Sequence, residues 1–415
     1  HSASALVAQC AGTPPPATPP GPPRRLAMFY PWTDLAERRG GASLRCTLLL
    51  DVLAPRVASV EVLQTGTGAP VRQGAVHIAS APLRAYHALP RWAFRCLAFP
   101  LLGRAGWGQE LFLWWHLERR FDPFFHRRVR DMVRRTDAVL LEYSFWAPVV
   151  LAACRRYRVP CVITQHDVLA QGVTRSALLR RMTFAQEVAA LRAADHAVCV
   201  SPADAEVFAA AGVAARVIAN PIDLARMAAP MDTDPREALR ERHGISLPPG
   251  PLALFVGSRH PPNLAAVARL RALAPRRAEV GFVIAGACAE SGREGDVLAT
   301  GPVAEEALRL LYAASAIVLV PLESGTGSSL KTLEAMAAGR PVLGTSTAFR
   351  GLPVHPGADC VIEDEFARWP AVIAALLGDP ARAEAIGAAG RRVAEGFDHR
   401  RVFAAYGEVL GLAAA

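Results

Sequence analysis

Lysine is all but missing from this chain. Of its 46 basic residues only Lys331 is lysine, and all the others are arginine. In a composition with 52% hydrophobic residues, 32 Gly and 33 Pro, arginine fills nearly every role open to a generic surface cation. The lysine that remains is expected to be needed as lysine, a compact mobile ammonium rather than a planar fork. It stands in GTGSSLKTLEAMAAGRPVLGT, after an apolar strand and at the start of an apolar helix. The window Gly325 to Met336 is 12 of 415 positions, so chance would place one leftover lysine there roughly 3% of the time.

Other absences narrow the class. Eight cysteines are scattered with no CxxC pair and no Cys/His ligand spacing, which argues against a disulfide framework or structural zinc and fits a reducing compartment. Cys161 in VPCVIT and Cys199 in HAVCVS lie inside apolar runs, where small buried thiols are expected. No uninterrupted apolar run reaches about 18 residues, so a spanning helix is not expected. No basic segment leads into an apolar stretch of secretory-signal length. The expected location is cytoplasmic, with a peripheral place on the inner face of the cell membrane as an option. No recognisable RNA or DNA module accompanies the arginines, so nucleic acid is not an expected partner. No Ser/His/Asp arrangement has a G-x-S-x-G elbow in support.

What is present points to two domains. A chain of 415 residues suits two cores of roughly 200 residues each, and a net charge of +9 favours anionic partners. Residues 1–24 include the proline-rich tether GTPPPATPPGPPRR. Short continuous apolar strands then alternate with helices: LAMFYPW (26–32), VASVEVLQ, DAVLLEY (137–143), PCVITQHD (160–167), HAVCVS (196–201) and ARVIANPID (215–223). A polar, proline-bracketed stretch at 226–250 reads as the interdomain linker. A second set follows in LALFVGS (252–258), GFVIAG (281–286), AIVLVPL (316–322) and RPVLGT (340–345), with VLATGPV (297–303) as a weaker strand. This pattern predicts α/β architecture, with two tandem Rossmann-like, doubly wound domains facing each other across an interdomain cleft. The expected bounds are 25–225 and 226–395, with 396–415 as a terminal helix returning to the first domain.

Residues 81–135 break the alternation. Eleven aromatics, among them Trp92, Trp107, Trp114 and Trp115, are interleaved with arginines there. That composition suits an anionic membrane surface, a nucleic-acid stacking surface, or an insert whose rings simply pack on the domain. Of the two functional readings, the membrane surface is preferred.

The chemistry concentrates around Lys331. Strand, glycine-rich turn and helix together make an anion site: Gly325, Thr326, Gly327, Ser328 and Ser329 can bring backbone N–H groups and hydroxyls to a phosphate, and the helix N-terminus and Lys331 add positive charge. Glu334, one turn along, could accept from a ribose. The string Gly325–Thr332 nearly matches a phosphate-binding P-loop, but Leu330 occupies the second glycine position, where a side chain blocks backbone approach. Asp232-Thr233-Asp234 mimics a D-x-D metal motif, yet its place before Pro235 and a charged helix reads better as a helix start.

Several separated pieces, in order over about residues 25–410, resemble the retaining glycosyltransferases of the GT-B fold in the large family 4 group. Gly40-Gly41 resembles the glycine pair after the first strand, near donor and acceptor. His166 of QHD is similar to the donor-sugar histidine. VIANPID (217–223) resembles the end of the first domain, and FVGSRHPPNLAAV (255–267) the opening of the second, with Arg259 at the diphosphate and Asn263 nearby. The Lys331 loop and helix resemble the donor-binding segment, and GFDHRRVFAAYGEVL (396–410) the terminal crossing helix. Two departures stand out: Thr326 occupies the place of a sugar-side glutamate, and Ser329 replaces a loop arginine, with Glu323 a candidate substitute for the missing acid or an ordinary solvated one. The resemblance implies transfer of a sugar from a nucleotide-diphosphate donor to a glycan or lipid-linked acceptor, with no cofactor and no metal. A nucleotide-sugar epimerase of GT-B fold and a non-catalytic sugar-nucleotide-binding protein are the alternatives.

Overall fold

The computed structural model describes residues 24–33, 35, 41–83, 88–102 (side chains to 97), 111–174, 176–227, 233–274, 279–324 and 330–412. The chain divides into two compact units. One ends at Ala219 and takes up the chain again at Val402, and the other is Asn220–Arg401. The sequence had placed these junctions at 225/226 and 395/396.

The first unit carries eight strands: β1 Arg25–Tyr30, β2 Ser59–Thr65, β3 Val71–Gln73, β4 Val76–Ala81, β5 Ala138–Glu142, β6 Cys161–Gln165, β7 His196–Cys199 and β8 Ala215–Val217. They lie in the order β3-β4-β2-β1-β5-β6-β7-β8, parallel throughout except for the β3/β4 hairpin. Side chains alternate across a strand, and both faces here are buried. Ala27 and Phe29 of β1 join Val139, Leu141 and Ile163 in one core. Leu26, Met28 and Tyr30 join Leu140, Val162 and the helix Gly41–Leu53 in another. Phe403 and Tyr406 of the last helix, His399–Val409, and Leu410 just after it pack into that second core. Burial on both faces is why these strands read as unbroken apolar runs, and each such side chain contributes about 1.5–3 kcal/mol. Cys161 and Cys199 are fully buried, as expected.

The second unit holds β9 Leu252–Val256, β10 Gly281–Ala285, β11 Gly292–Glu294, β12 Val297–Gly301, β13 Ile317–Val320, β14 Val342–Gly344 and β15 Val361–Ile362. Their order is β11-β12-β10-β9-β13-β14-β15, again with one antiparallel pair at an edge. The weak strand at 297–303 is real and pairs parallel with β10. Asp234 caps the helix Pro235–His243 by accepting from the backbone N–H of Arg236 and Glu237, which is the helix start read from the sequence. Asp232 lies outside the described residues.

The aromatic stretch divides in two. Trp114 and Phe125 are each 3% exposed and Phe125 packs in the first-unit core. Buried Arg119 donates to the carbonyls of Ala81 and Pro82, pairs with Asp122 and lies over the Phe125 and Trp146 rings. Packing therefore accounts for Trp114 and Phe125, whereas Phe121 and Phe124 are 62% and 58% exposed. The helix Ala88–Leu102 behaves differently: Leu89, Trp92 and Leu97 are 70%, 65% and 75% exposed. Trp107 lies outside the described residues. No helix among the described residues is long and apolar enough to cross a membrane.

Candidate functional site

Each sheet reverses its winding at one place, between β1 and β5 in the first unit and between β9 and β13 in the second. In open α/β sheets the crevice beyond the carboxyl ends of such strands is where ligands settle. Both switch points carry polar side chains at those ends.

In the second unit, β9 runs into Gly257-Ser258-Arg259-His260 and then the helix Pro261–Leu273. Asn263, on the first turn of that helix, is buried and donates its amide N–H to the Ser258 carbonyl at 2.9 Å. This leaves its Oδ1 to accept from Lys331 Nζ at 2.5 Å. The loop packs closely enough that only glycine fits. A Cβ on Gly286, whose φ is +102°, would stand 2.2 Å from the Gly257 carbonyl oxygen, and one on Gly257 would press on Asn263 and Cys288.

Lys331 is the second residue of the helix Leu330–Ala337, which follows β13. It is half-buried, its ammonium 5.5 Å from the centre of the Phe255 ring, and it forms no ion pair with a carboxylate among the described residues. Burial lowers its pKa from 10.5 to about 8, against smaller upward pulls from Cys288 and Glu334. Glu334 accepts from the Tyr312 hydroxyl at 3.1 Å. Burial raises its pKa, while the Tyr312 bond, Lys331 and Arg226 pull it down. Arg259 is exposed on the loop after β9. Glu323 is also exposed and pairs with Arg269 at 2.5 Å. Gly325, Thr326, Gly327, Ser328 and Ser329 lie outside the described residues, as does Gly40. Gly41 opens the helix Gly41–Leu53 of the first unit.

In the first unit the strand ends of β5 and β6 are tied together. His166, just past β6, is buried, and its Nε2 lies 2.6 Å from Glu142 Oε2 at the end of β5. Tyr143 stacks on the imidazole, with centroids 4.4 Å apart and planes 12° from parallel. Gln165 accepts from the Ser144 N–H and donates to Glu187, whose carboxylate also takes the N–H groups of Leu169 and Ala170. Burial pushes the carboxyls of Glu187 and Asp167 up to about 8 and about 7 respectively. His166 is pushed down, first by burial and then by Arg45, with Glu142 opposing. Donor atoms of Cys46, Glu142 and His166 all lie within 4.8 Å of one another, a set that could hold a metal ion. Trp32 of the loop after β1 and Trp115 of the insert meet edge to face at 5.0 Å beside Tyr143 and Phe145.

Sequence reasoning reached Lys331, Asn263, Glu334 and His166 but missed Glu142, Tyr143 and Tyr312. The available signal was an acid and an aromatic closing the apolar run DAVLLEY at a strand's carboxyl end.

Comparison with known proteins fits this geometry. Residues 39–226 match the family described as Glycosyltransferase Family 4, and residues 250–379 match Glycosyl transferases group 1. The chain belongs to the family 4-like glycosyltransferases of GT-B fold. No curated protein matches it in sequence. Among solved structures it is similar to Anabaena Alr3699/HepE in complex with UDP-glucose, at 17% identity, 93% of this chain, 99% of that one and a TM-score of 0.70. It is also similar to the sucrose-phosphate synthase of Thermosynechococcus elongatus (17%, 93% and 98%, 0.65). A third is WaaG, a glycosyltransferase involved in lipopolysaccharide biosynthesis (16%, 93% and 99%, 0.60).

Proposed function

We propose that this glycosyltransferase is a retaining enzyme that moves a sugar from a nucleotide-diphosphate donor to a glycan or lipid-linked acceptor in surface polysaccharide or glycolipid synthesis. The observation that carries the donor is Lys331: a half-buried ammonium at a switch point, held by a neutral amide and by an aromatic face rather than by an acid. Such a cation attracts a diphosphate and stabilises the charge that develops on it as the sugar leaves, commonly the largest electrostatic contribution to catalysis. Complexes of a similar fold with UDP and UDP-glucose support this reading. Arg259 and the 325–329 loop would add to the phosphate contacts, Glu334 would hold the ribose, and His166 would orient the sugar. The reaction as proposed needs no cofactor and no metal.

The exposed face of Ala88–Leu102 supports a place on the inner surface of the cell membrane. Leu89, Trp92 and Leu97 stand out beside Arg91 and Arg95, and no acid occurs between Glu61 and Glu110. Apolar side chains set among arginines without acids suit anionic lipid. Trp92→Ser with Leu97→Ser should abolish flotation with vesicles containing anionic lipid while leaving the melting temperature unchanged, and unchanged flotation would refute the surface.

The donor reading is tested by supplying UDP-, GDP- and ADP-sugars and following free nucleotide, sugar configuration and thermal shift. Acceptor-dependent nucleotide release with an α-configured product from an α-configured donor is expected. Turnover of the donor sugar without acceptor would mark an epimerase, and binding without turnover a non-catalytic protein. Failure to bind any nucleotide would overturn all three.

A further inference from the structure

The Glu142–Tyr143 dipeptide breaks the geometry of its own strand. Successive residues of a strand face opposite sides, so a glutamate and the tyrosine after it could not both reach one imidazole if β5 simply continued. They do both reach His166, because Tyr143 adopts a φ of 63°. Left-handed backbone at a tyrosine costs about 1–2 kcal/mol. The one other such non-glycine among the described residues, Arg158, sits at an ordinary helix end. The surroundings hold Tyr143 in place: its N–H donates to the Thr164 carbonyl at 2.8 Å, the next N–H to Gln165, and its ring also stacks on Phe145.

We propose that this dipeptide is a positioning device for His166: Glu142 holds the ring as its Nε2–H tautomer and Tyr143 fixes its plane, so that Nδ1 is offered as an acceptor to a sugar hydroxyl. A carboxylate can only accept, so the 2.6 Å contact places a proton on Nε2. Nδ1 then keeps its lone pair, and it has no hydrogen-bond partner among the described residues. The Glu142 carboxylate is fully buried, and its other oxygen also lacks a partner, so its one strong bond is the one to His166. The hydroxyl-binding role rests on the glycosyltransferase mechanism proposed above, whereas the tautomer does not.

The test is nitrogen-15 NMR of the histidine side chains together with steady-state transfer. His166 should report the Nε2–H form, and Glu142→Leu, which leaves no acceptor for that proton, should shift it toward Nδ1–H. The same change should lower transfer kcat about 10- to 100-fold with donor KM within about twofold, and should add nothing in a His166→Ala background. An Nδ1–H ring in the unmodified protein, a histidine signal indifferent to Glu142→Leu, or losses that add in the double variant would each overturn the proposal. Should Glu142→Leu fold poorly, Glu142→Ala removes the same acceptor with less bulk and gives the same readout. If the protein transfers no sugar at all, the functional reading fails while the NMR result still decides the tautomer.

Discussion

At the β9/β13 switch point a half-buried ammonium rests against a neutral amide, and the nearby carboxylate of Glu334 is engaged by Tyr312. At the β1/β5 switch point one oxygen of a buried carboxylate accepts from a histidine N–H, and aromatic rings stack beside that imidazole. The two crevices have the same topological origin and opposite chemistry. The first has positive charge unmatched by an ion-paired acid, which is what an incoming diphosphate needs. The second has its histidine already held by a carboxylate and offers ring faces and a lone pair, which suits an uncharged polyhydroxylated group. One crevice is electrostatic and the other geometric, so perturbing charge should hurt the second unit most and perturbing position the first.

Removing the charge gives the largest expected effect. Lys331→Ala should lower nucleotide release by about 10²- to 10³-fold, the scale of losing one preorganised charge-stabilising group. Lys331→Arg should recover only part of this, because a longer planar fork cannot place a compact point charge where the ammonium meets Asn263. A Lys331→Arg enzyme with full activity would make the solitary lysine incidental. Next in size is Asn263→Asp, which exchanges the neutral amide for an acid at 2.5 Å from the ammonium. An internal ion pair would then compete with the donor, and donor KM should rise roughly tenfold, equivalent to about 1.4 kcal/mol. An unchanged KM would show that Lys331 is not on the diphosphate.

The lysine also sets a pH dependence with two opposite signs. With its pKa lowered to about 8 by burial, donor affinity should be level below that pH and fall above it by up to tenfold per unit, because the neutral amine holds no anion. Stability should move the other way. The unfolded lysine keeps its proton up to its ordinary value of 10.5, so between about 8 and 10.5 the unfolded state binds more protons and folding gains as pH rises. Isothermal titration and melting curves across pH 7–10, each compared with Lys331→Met, separate the two trends. Affinity that is flat to pH 10 would mean that the ammonium is not lowered.

How much of this was legible depended on which force wrote the signal. Strands buried on both faces, such as Leu26–Tyr30 and Ala138–Leu141, declare themselves as apolar runs, and their alternation with helices sufficed for the architecture. β3, β11 and β15, of two or three residues each, are too short to leave a pattern. β4 mixes buried with half-buried positions and does not stand out as an apolar run. Lys331 was visible because it is solitary. Its hold on Asn263 spans 68 positions, and no local pattern could announce it. Glu142 and Tyr143 were legible only as an acid and an aromatic closing a strand: their joint hold on His166 comes from one backbone angle, and a φ of 63° at tyrosine leaves no trace in composition or spacing.

The smallest expected effect concerns Glu323, the acid that could stand in for the sugar-side glutamate replaced by Thr326. Its side chain is 58% exposed and pairs with Arg269, which also lies over the Phe366 ring. Exposed pairs contribute about 0–1 kcal/mol, so Glu323→Gln should shift the melting temperature little. If the contrast between the crevices is right, the anion site gains nothing from an acid at its rim, and nucleotide release should change by less than about twofold. A loss of tenfold or more, with stability intact, would instead put the Glu323 carboxylate on the donor sugar. The second unit would then be acting by position as well as by charge, and the division of labour between the two switch points would fail there.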